Sequence, residues 1–183
     1  MTRVTLARLD ARGADRDQLV RFLTSERFPF HVASHPDRAT VLERIDRGDF
    51  DERGRLVRWV RTDGADTVGL LRVEDADDPT PMLDLRLGEA HRGRGLGTAA
   101  LRRACDLVFG TLPDVDRFEG STRSDNVAMR RAFRRAGWVK EAVHREAWPG
   151  RDGARFDAIG YAMLRGDWQR GTVTPVRWTD EID

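Results

Sequence analysis

The run Arg92-Gly93-Arg94-Gly95-Leu96-Gly97-Thr98 stands between an apolar stretch, Met82 to Leu87, and a segment whose apolar residues recur at helical spacing from Leu96 onward. A glycine-rich turn between a strand and a helix makes an anion site, because glycine lets the backbone approach a phosphate and take up positive φ. The first N–H groups of the helix lack internal partners, and the helix dipole adds partial positive charge there. Three phosphate-binding patterns compete for this stretch. The P-loop needs a Gly-Lys-Ser/Thr ending, and no such Lys is present. The dinucleotide fingerprint needs Gly-x-Gly-x-x-Gly opening a repeated βαβ fold. Here the glycines fall at 93, 95 and 97, one residue too tight and halfway along the chain. The pattern that fits is Gln/Arg-x-x-Gly-x-Gly/Ala, met by Arg92, Gly95 and Gly97.

That pattern is the pyrophosphate loop of the GCN5-related N-acetyltransferases (GNAT), and the chain resembles this superfamily well beyond one loop. Asn126 to Trp138 is similar to the second superfamily motif, in which an Asn opens a helix that ends in Gly and an aromatic residue, here Gly137-Trp138. Lys140 to Trp148 and Gly160 to Trp168 resemble the corresponding segments of the RimJ/RimL-like branch. The matches run in family order from Met82 to Trp168, about half of the chain.

Composition bounds the function classes. With 183 residues the chain reads as one domain, 1–168, followed by a polar tail, 169–183, in which Trp178 suggests docking. The 32 basic and 31 acidic residues nearly cancel, which argues against nucleic acid as the main partner. Arg92, Arg94, Arg102 and Arg103 nonetheless cluster, either as a solvated helix face or as an attractor for a polyphosphate. The single cysteine, Cys105, excludes an intrachain disulfide and reads as a small buried residue. No apolar run reaches membrane-spanning length and no signal-peptide pattern is read at the N-terminus, so the expected compartment is the cytoplasm, with no membrane partner. No metal site is expected.

Periodicity gives the element order. Val4 to Leu9 reads as a strand. Asp15 starts a helix to about Leu23, and His35-Pro36-Asp37 starts a second, which carries Val41, Leu42 and Ile45. Strands follow at Arg55 to Arg61 and Thr67 to Val73, joined by an Asp63-Gly64 turn, then at Met82 to Leu87. Leu96, Ala100, Leu101, Ala104, Leu107 and Val108 mark a helix stopped by Pro113. Val115 to Ser121 reads as a strand, Asn126 to Ala136 as a helix with Gly137 at its C-terminus, and Trp138 to Trp148 and Ala154 to Met163 as two long strands around a Gly150 to Gly153 turn. The order is β-αα-βββ-α-β-α-ββ. It predicts an α/β (α+β) fold with a mixed, mostly antiparallel sheet and helices on both faces, which the resemblance identifies as the acyl-CoA N-acyltransferase fold.

The resemblance implies acetyl-CoA as acyl donor and a primary amine as acceptor, on a small molecule or a protein N-terminus. It also implies direct attack of the neutral amine on the thioester. A non-catalytic acyl-CoA-binding module is the alternative. By carry-over, Leu85 and Leu87 pair with the pantetheine arm, while Arg92, Gly93, Arg94, Gly95, Leu96, Gly97 and Thr98 hold the pyrophosphate. Asn126 either bonds the cofactor arm or caps its helix. The position seven after Asn126, a Tyr that acts as acid in many members, is Phe133 here; it stays beside the cofactor but cannot donate a proton. The Ser often found three after the Asn is Met129. Ser121, Thr122, Ser124 or a water replaces the acid, with Tyr161 a weaker candidate. Asp84 and Glu119, on the strands flanking the predicted gap, are candidate bases: enclosure of Asp84 raises its pKa, unless it pairs with Arg86 or Arg117. Phe28, Phe30 and His31 lie where the family shapes its acceptor pocket. Arg130, Arg131, Arg134 and Arg135 form a solvated helix face from which one arginine reaches a phosphate. The long final strands imply a homodimer.

Overall fold

The computed structural model describes residues 3–64, 66–150 and 153–177. A seven-stranded sheet runs in the order β1-β2-β3-β4-β5-β7-β6. Its strands are β1 (Val4–Arg8), β2 (Leu56–Thr62), β3 (Thr67–Glu74), β4 (Met82–Leu87), β5 (Arg117–Arg123), β6 (Val139–Pro149) and β7 (Arg155–Leu164). Every neighbouring pair is antiparallel except β4 and β5. These two are parallel and meet only at Met82↔Glu119 and Leu83↔Gly120. From Asp84 onward β4 leaves β5 while keeping its full register with β3.

Helices α1 (Arg16–Ser25) and α2 (Arg38–Arg47) cover one face. Leu19, Val20, Leu23, Val41 and Ile45 pack there against Val57, Trp59 and Leu70 of β2 and β3. The α2 start is fixed by Asp37, whose carboxylate accepts from the Thr40 N–H at 2.7 Å, the N-cap bond an Asp at that position is suited to make. Asp15 precedes α1 but makes no side-chain cap; its carboxylate accepts from the Asp10 N–H instead. Helices α3 (Leu96–Thr111) and α4 (Val127–Arg135) cover the other face. There Leu101, Ala104, Val108 and Phe133 pack with Val60, Leu71 and Phe118. The alternation along β4 follows from this layering. Leu83, Leu85 and Leu87 turn toward α3 and α4, whereas Asp84 and Arg86 turn toward the α1–α2 side.

The element order is the one the periodicity predicts, with a short 3-10 helix at Glu89–His91 added before α3 and two further differences. β5 begins two residues later than expected, since Val115 is buried in the turn before the strand. The expected tail begins inside a further helix, α5 (Arg165–Arg170), which the six-residue segment was too short to announce by periodicity. Trp168 of α5 packs tilted against Phe109 at 5.4 Å and donates its indole N–H to Asp106. Buried Asp167 ties down the following segment by accepting from Thr172 Oγ1 and from the N–H and Oγ1 of Thr174. Trp178 and residues 151–152 of the last turn lie outside the described residues. Among the described residues no helix is long and apolar enough to cross a membrane, and no cluster of metal-ligating side chains is found.

Cys105 is buried on α3 as expected, and burial pushes its thiol up to about 12. Native protein at pH 8 is therefore expected to leave this thiol unmodified by an aromatic disulfide reagent. Colour should appear only as denaturant unfolds the chain, and rapid labelling of the native protein contradicts the placement.

Candidate active site

The turn from β4 to α3 builds the anion-binding end of the site. Gly95 is the N-cap of α3 at φ 79° and Gly93 lies at φ 72°, both left-handed. A Cβ on either would meet no protein atom within 4 Å, so both face open space. No side chain caps α3. The N–H groups of its first turn are thus free to bind an anion, and the helix dipole favours one.

A cavity of about 350 Å³ begins at this turn and follows β4 to the α1–α2 connection. Gly93, Gly95, Gly97 and Thr98 line one end, Leu85, Arg86 and Leu87 the middle, and Phe28, Pro29, Phe30 and His31 the other end. One stripe of α4, Ala128, Arg131, Ala132 and Arg135, forms a side wall together with Met129 and Asn126. The parting of β4 from β5 opens this space, since continued pairing would have closed the backbone groups of Leu85 to Leu87 against β5. Two open glycines, uncapped helix N–H groups and two arginines at one end of an elongated cavity fit a pyrophosphate with a long arm.

Most of the predicted binding residues share this cavity: Phe28, Phe30, His31, Leu85, Leu87, Arg92, Gly93, Gly95, Gly97, Thr98 and Asn126. Several have other duties. Arg92 donates from Nε to the Leu87 carbonyl at 3.0 Å and from Nη2 to the Arg27 carbonyl, so its guanidinium anchors the turn to β4 and to the chain after α1. Arg102 and Arg103 turn to the Arg135 and Val4 carbonyls, and Arg94 is exposed. Of the clustered arginines only Arg92 lines the cavity, where Arg131 and Arg135 join it from the same stripe of α4 as Ala128 and Ala132. Asn126 caps α4: its Oδ1 accepts from the Met129 N–H at 3.2 Å and its Nδ2 donates to Thr122 Oγ1 at 3.0 Å. Leu96 lies in the core, leaving only its backbone to the anion site.

Phe133 is also corrected. Its ring is fully buried, stacked on Tyr161 at 4.7 Å and tilted against Trp138 at 5.0 Å, and it does not line the cavity. Its edge lies against the backbone of Gly120, the residue that leaves room for it.

None of the three predicted catalytic side chains, Asp84, Glu119 and Ser121, lines the cavity. Glu119 accepts from Arg117, which also pairs with Glu141. Ser121 Oγ donates to the Ile159 carbonyl at 3.4 Å. Thr122 is occupied by Asn126, and Tyr161 is buried beside Phe133. Asp84 lies directly behind the cavity wall. His31 Nε2 is 3.0 Å from Asp84 Oδ1, Arg86 Nη2 is 3.3 Å from Oδ2, and Arg72 stands 3.9 Å away. Burial opposes ionisation of Asp84, but the His31 hydrogen bond and the nearby charges of Arg86 and Arg72 outweigh it and hold the carboxyl well below the ordinary carboxylate range. The expectation of a raised value is overturned, and the partners are Arg86, Arg72 and His31 rather than Arg117.

The pairing of His31 with Asp84 is the site feature that sequence reasoning missed, although each residue stands out by type. They are 53 positions apart and nothing local connects them. The same holds for Arg123, which pairs with Asp125 and stacks between Phe30 at 4.9 Å and Phe156 at 4.0 Å.

Comparison with known proteins agrees with this fold. The family described as the acetyltransferase (GNAT) domain matches residues 3–139. Among solved structures, a chimera of the Vibrio cholerae spermidine N-acetyltransferase SpeG and hSSAT superposes with a TM-score of 0.77 at 16% identity, covering 91% of this chain and 98% of that one. Mycobacterium smegmatis RimJ in complex with CoA-disulfide gives 0.74 at 19% identity, covering 91% and 86%. Vibrio cholerae spermidine N-acetyltransferase in complex with CoA and spermine gives 0.73 at 16% identity, covering 91% and 98%. No curated protein matches the chain. With the family match extending over most of its length, the chain belongs to the GNAT acetyltransferase family.

Proposed function

We propose that the protein transfers the acetyl group of acetyl-CoA to a primary amine, carried by a small molecule or by a peptide N-terminus. The observation that carries this reading is the single cavity joining the open glycine turn of α3 to the aromatic end at Phe28 to His31, along the edge that β4 exposes where it parts from β5. In this reading the N–H groups from Gly93 to Thr98 take the pyrophosphate, with Arg131 and Arg135 beside them. The backbone of Leu85 and Leu87 pairs with the pantetheine arm. The acceptor enters at Phe28, Phe30 and His31. When bound, acetyl-CoA supplies the activated acyl carbon. The chain orients it, keeps water from the apolar stretch at Leu85 and Leu87, and offers a strand N–H to the thioester oxygen. The reading includes residues 1–168 acting as one domain and a homodimer formed along β6, the long edge strand of the sheet.

A non-catalytic acyl-CoA-binding module keeps a claim because Phe133 and Met129 stand where the family often has its acid. Thermal unfolding with acetyl-CoA, and with NADP and ATP as controls, tests the cofactor. Ligand at about 100 times its Kd adds roughly 2.7 kcal/mol, a shift of about 5–10 °C for a chain of this size. A shift with acetyl-CoA alone is expected, and none overturns the reading. Thiol release with spermidine or with a peptide bearing a free N-terminus then separates enzyme from binding module.

A further inference from the structure

We infer that His31 is the general base of the acetyl transfer and that Asp84 is its positioning residue. The inference rests on the reading of the site given above. His31 lies in the cavity wall at the acceptor end, and Asp84 stands behind it, outside the wall. A carboxylate held ionised by Arg72 and Arg86 is only an acceptor, so His31 Nε2 must carry the hydrogen of their 3.0 Å bond. In the neutral ring that leaves the lone pair on Nδ1, the nitrogen free to take a proton. The ring is also held from its flank, with Phe28 edge-on at 5.9 Å and the His31 N–H bonded to the Phe28 carbonyl. An imidazole in the cavity wall that is oriented through one nitrogen, the other making no hydrogen bond among the described residues, is the arrangement proton abstraction needs.

Asp84 itself is a poor base. Three partners occupy its oxygens, and its proton affinity is lowered. The charged groups around His31 are Asp84 and Arg86 from β4, Arg72 from β3, and Arg92 and Arg123, whose guanidinium groups stack on Phe28 and Phe30. Asp84 alone among them bonds the ring, and so selects its proton-bearing nitrogen.

The proton count closes. An acceptor arriving as ammonium has three protons on nitrogen, and the amide product keeps one. His31 Nδ1 takes the first and passes it to water. The freed lone pair forms the C–N bond as the C–S bond breaks with its electron pair on sulfur. The second proton leaves nitrogen and ends on that sulfur as the thiol. No further acid is required, in keeping with Phe133 and Met129 at the usual acid positions.

The test is His31→Gln, which keeps a polar side chain at a partly exposed position. Expected are an acetyl-CoA thermal shift equal to that of the native chain, a fall in kcat/KM of about 10²–10⁴ with spermidine or a peptide amine at pH 7, and loss of the acidic limb of the pH profile. That limb is expected of the native enzyme because an imidazole cannot accept a proton once it is charged. Asp84→Asn removes the acceptor that orients the ring through Nε2, so kcat/KM is expected to fall while the acetyl-CoA shift is kept. If that variant fails to fold, nitrogen-15 NMR of the native chain without ligand decides, with Nε2–H as the expected tautomer of His31. An unchanged rate and limb in His31→Gln, or an Nδ1–H tautomer, overturns the inference. Absence of any acetyl-CoA shift in the native chain overturns the underlying reading instead.

Discussion

Gly95→Val weakens acetyl-CoA binding by about ten- to a hundredfold, which corresponds to about 1.4–2.8 kcal/mol. Gly95 sits at φ 79° and ψ −5° at the start of α3, a conformation in which a side chain costs about 1–2 kcal/mol. Nothing in the protein lies within 4 Å of the added Cβ, so the loss of fold stability stops at this backbone strain. The loss of binding is larger in kind. The new side chain projects into the open end of the cavity, where the uncapped N–H groups of the first turn must reach an anion. Gly171→Val is the matched control: φ is +64°, nothing lies within 4 Å of its Cβ, and the residue ends α5 outside the cavity. It carries the same strain without touching the site. Calorimetric titration with acetyl-CoA separates the two, and equal affinity in both variants refutes the anion-site assignment.

Phe133→Ala is expected to lower stability by about 3–5 kcal/mol, the range for emptying a fully buried aromatic site. Domains of this kind hold about 5–15 kcal/mol in total, so a large share is lost. The ring, carried by α4, joins β5 and β7 by lying over Gly120, Tyr161 and Trp138. Denaturant unfolding measures it as a lower midpoint at unchanged slope. Phe133→Tyr is the informative companion. Its hydroxyl would extend from Cζ, which already lies 2.7 Å from where a Gly120 Cβ would stand, so it meets backbone rather than solvent or substrate. Overpacking of this kind costs about 1–3 kcal/mol, and kcat does not rise. A gain in rate shows instead that this position reaches the reacting atoms.

How far these features were readable from the sequence depends on how local their causes are. β4 and α3 were legible because Met82 to Leu87 and the apolar repeat from Leu96 are strong periodic signals on either side of a glycine turn. β5 was misplaced by two residues because its inward positions are Phe118, Gly120 and Thr122, of which only the first looks buried. Gly120 is inward because Phe133, thirteen residues later, fills the space over it. α5 is short, and its order comes from Asp167 and Trp168 bonding to distant partners. The site divides in the same way. The glycine turn and the aromatic end of the cavity could be named in advance. The division of labour among charges could not. Whether Asp84 gains or loses proton affinity depends on Arg72, Arg86 and His31 converging on it, and that convergence is made by β3 and by the α1–α2 connection.

The parting of β4 and β5 after two residue pairs has a cost outside catalysis. A sheet has two rims, but this one has four: beyond Leu83 and Gly120 the facing sides of β4 and β5 are rims inside the molecule. Unpaired strand rims are templates on which other chains can assemble. Helices α3 and α4 cover the opening on one side and the α1–α2 connection narrows it on the other, so an intruding strand is kept out by packing rather than by hydrogen bonds. A ligand arm lying along Leu85 and Leu87 heals the sheet as a surrogate strand. In the proposed reading, acetyl-CoA is thereby expected to protect the opening between the two strands as well as to supply the acyl group.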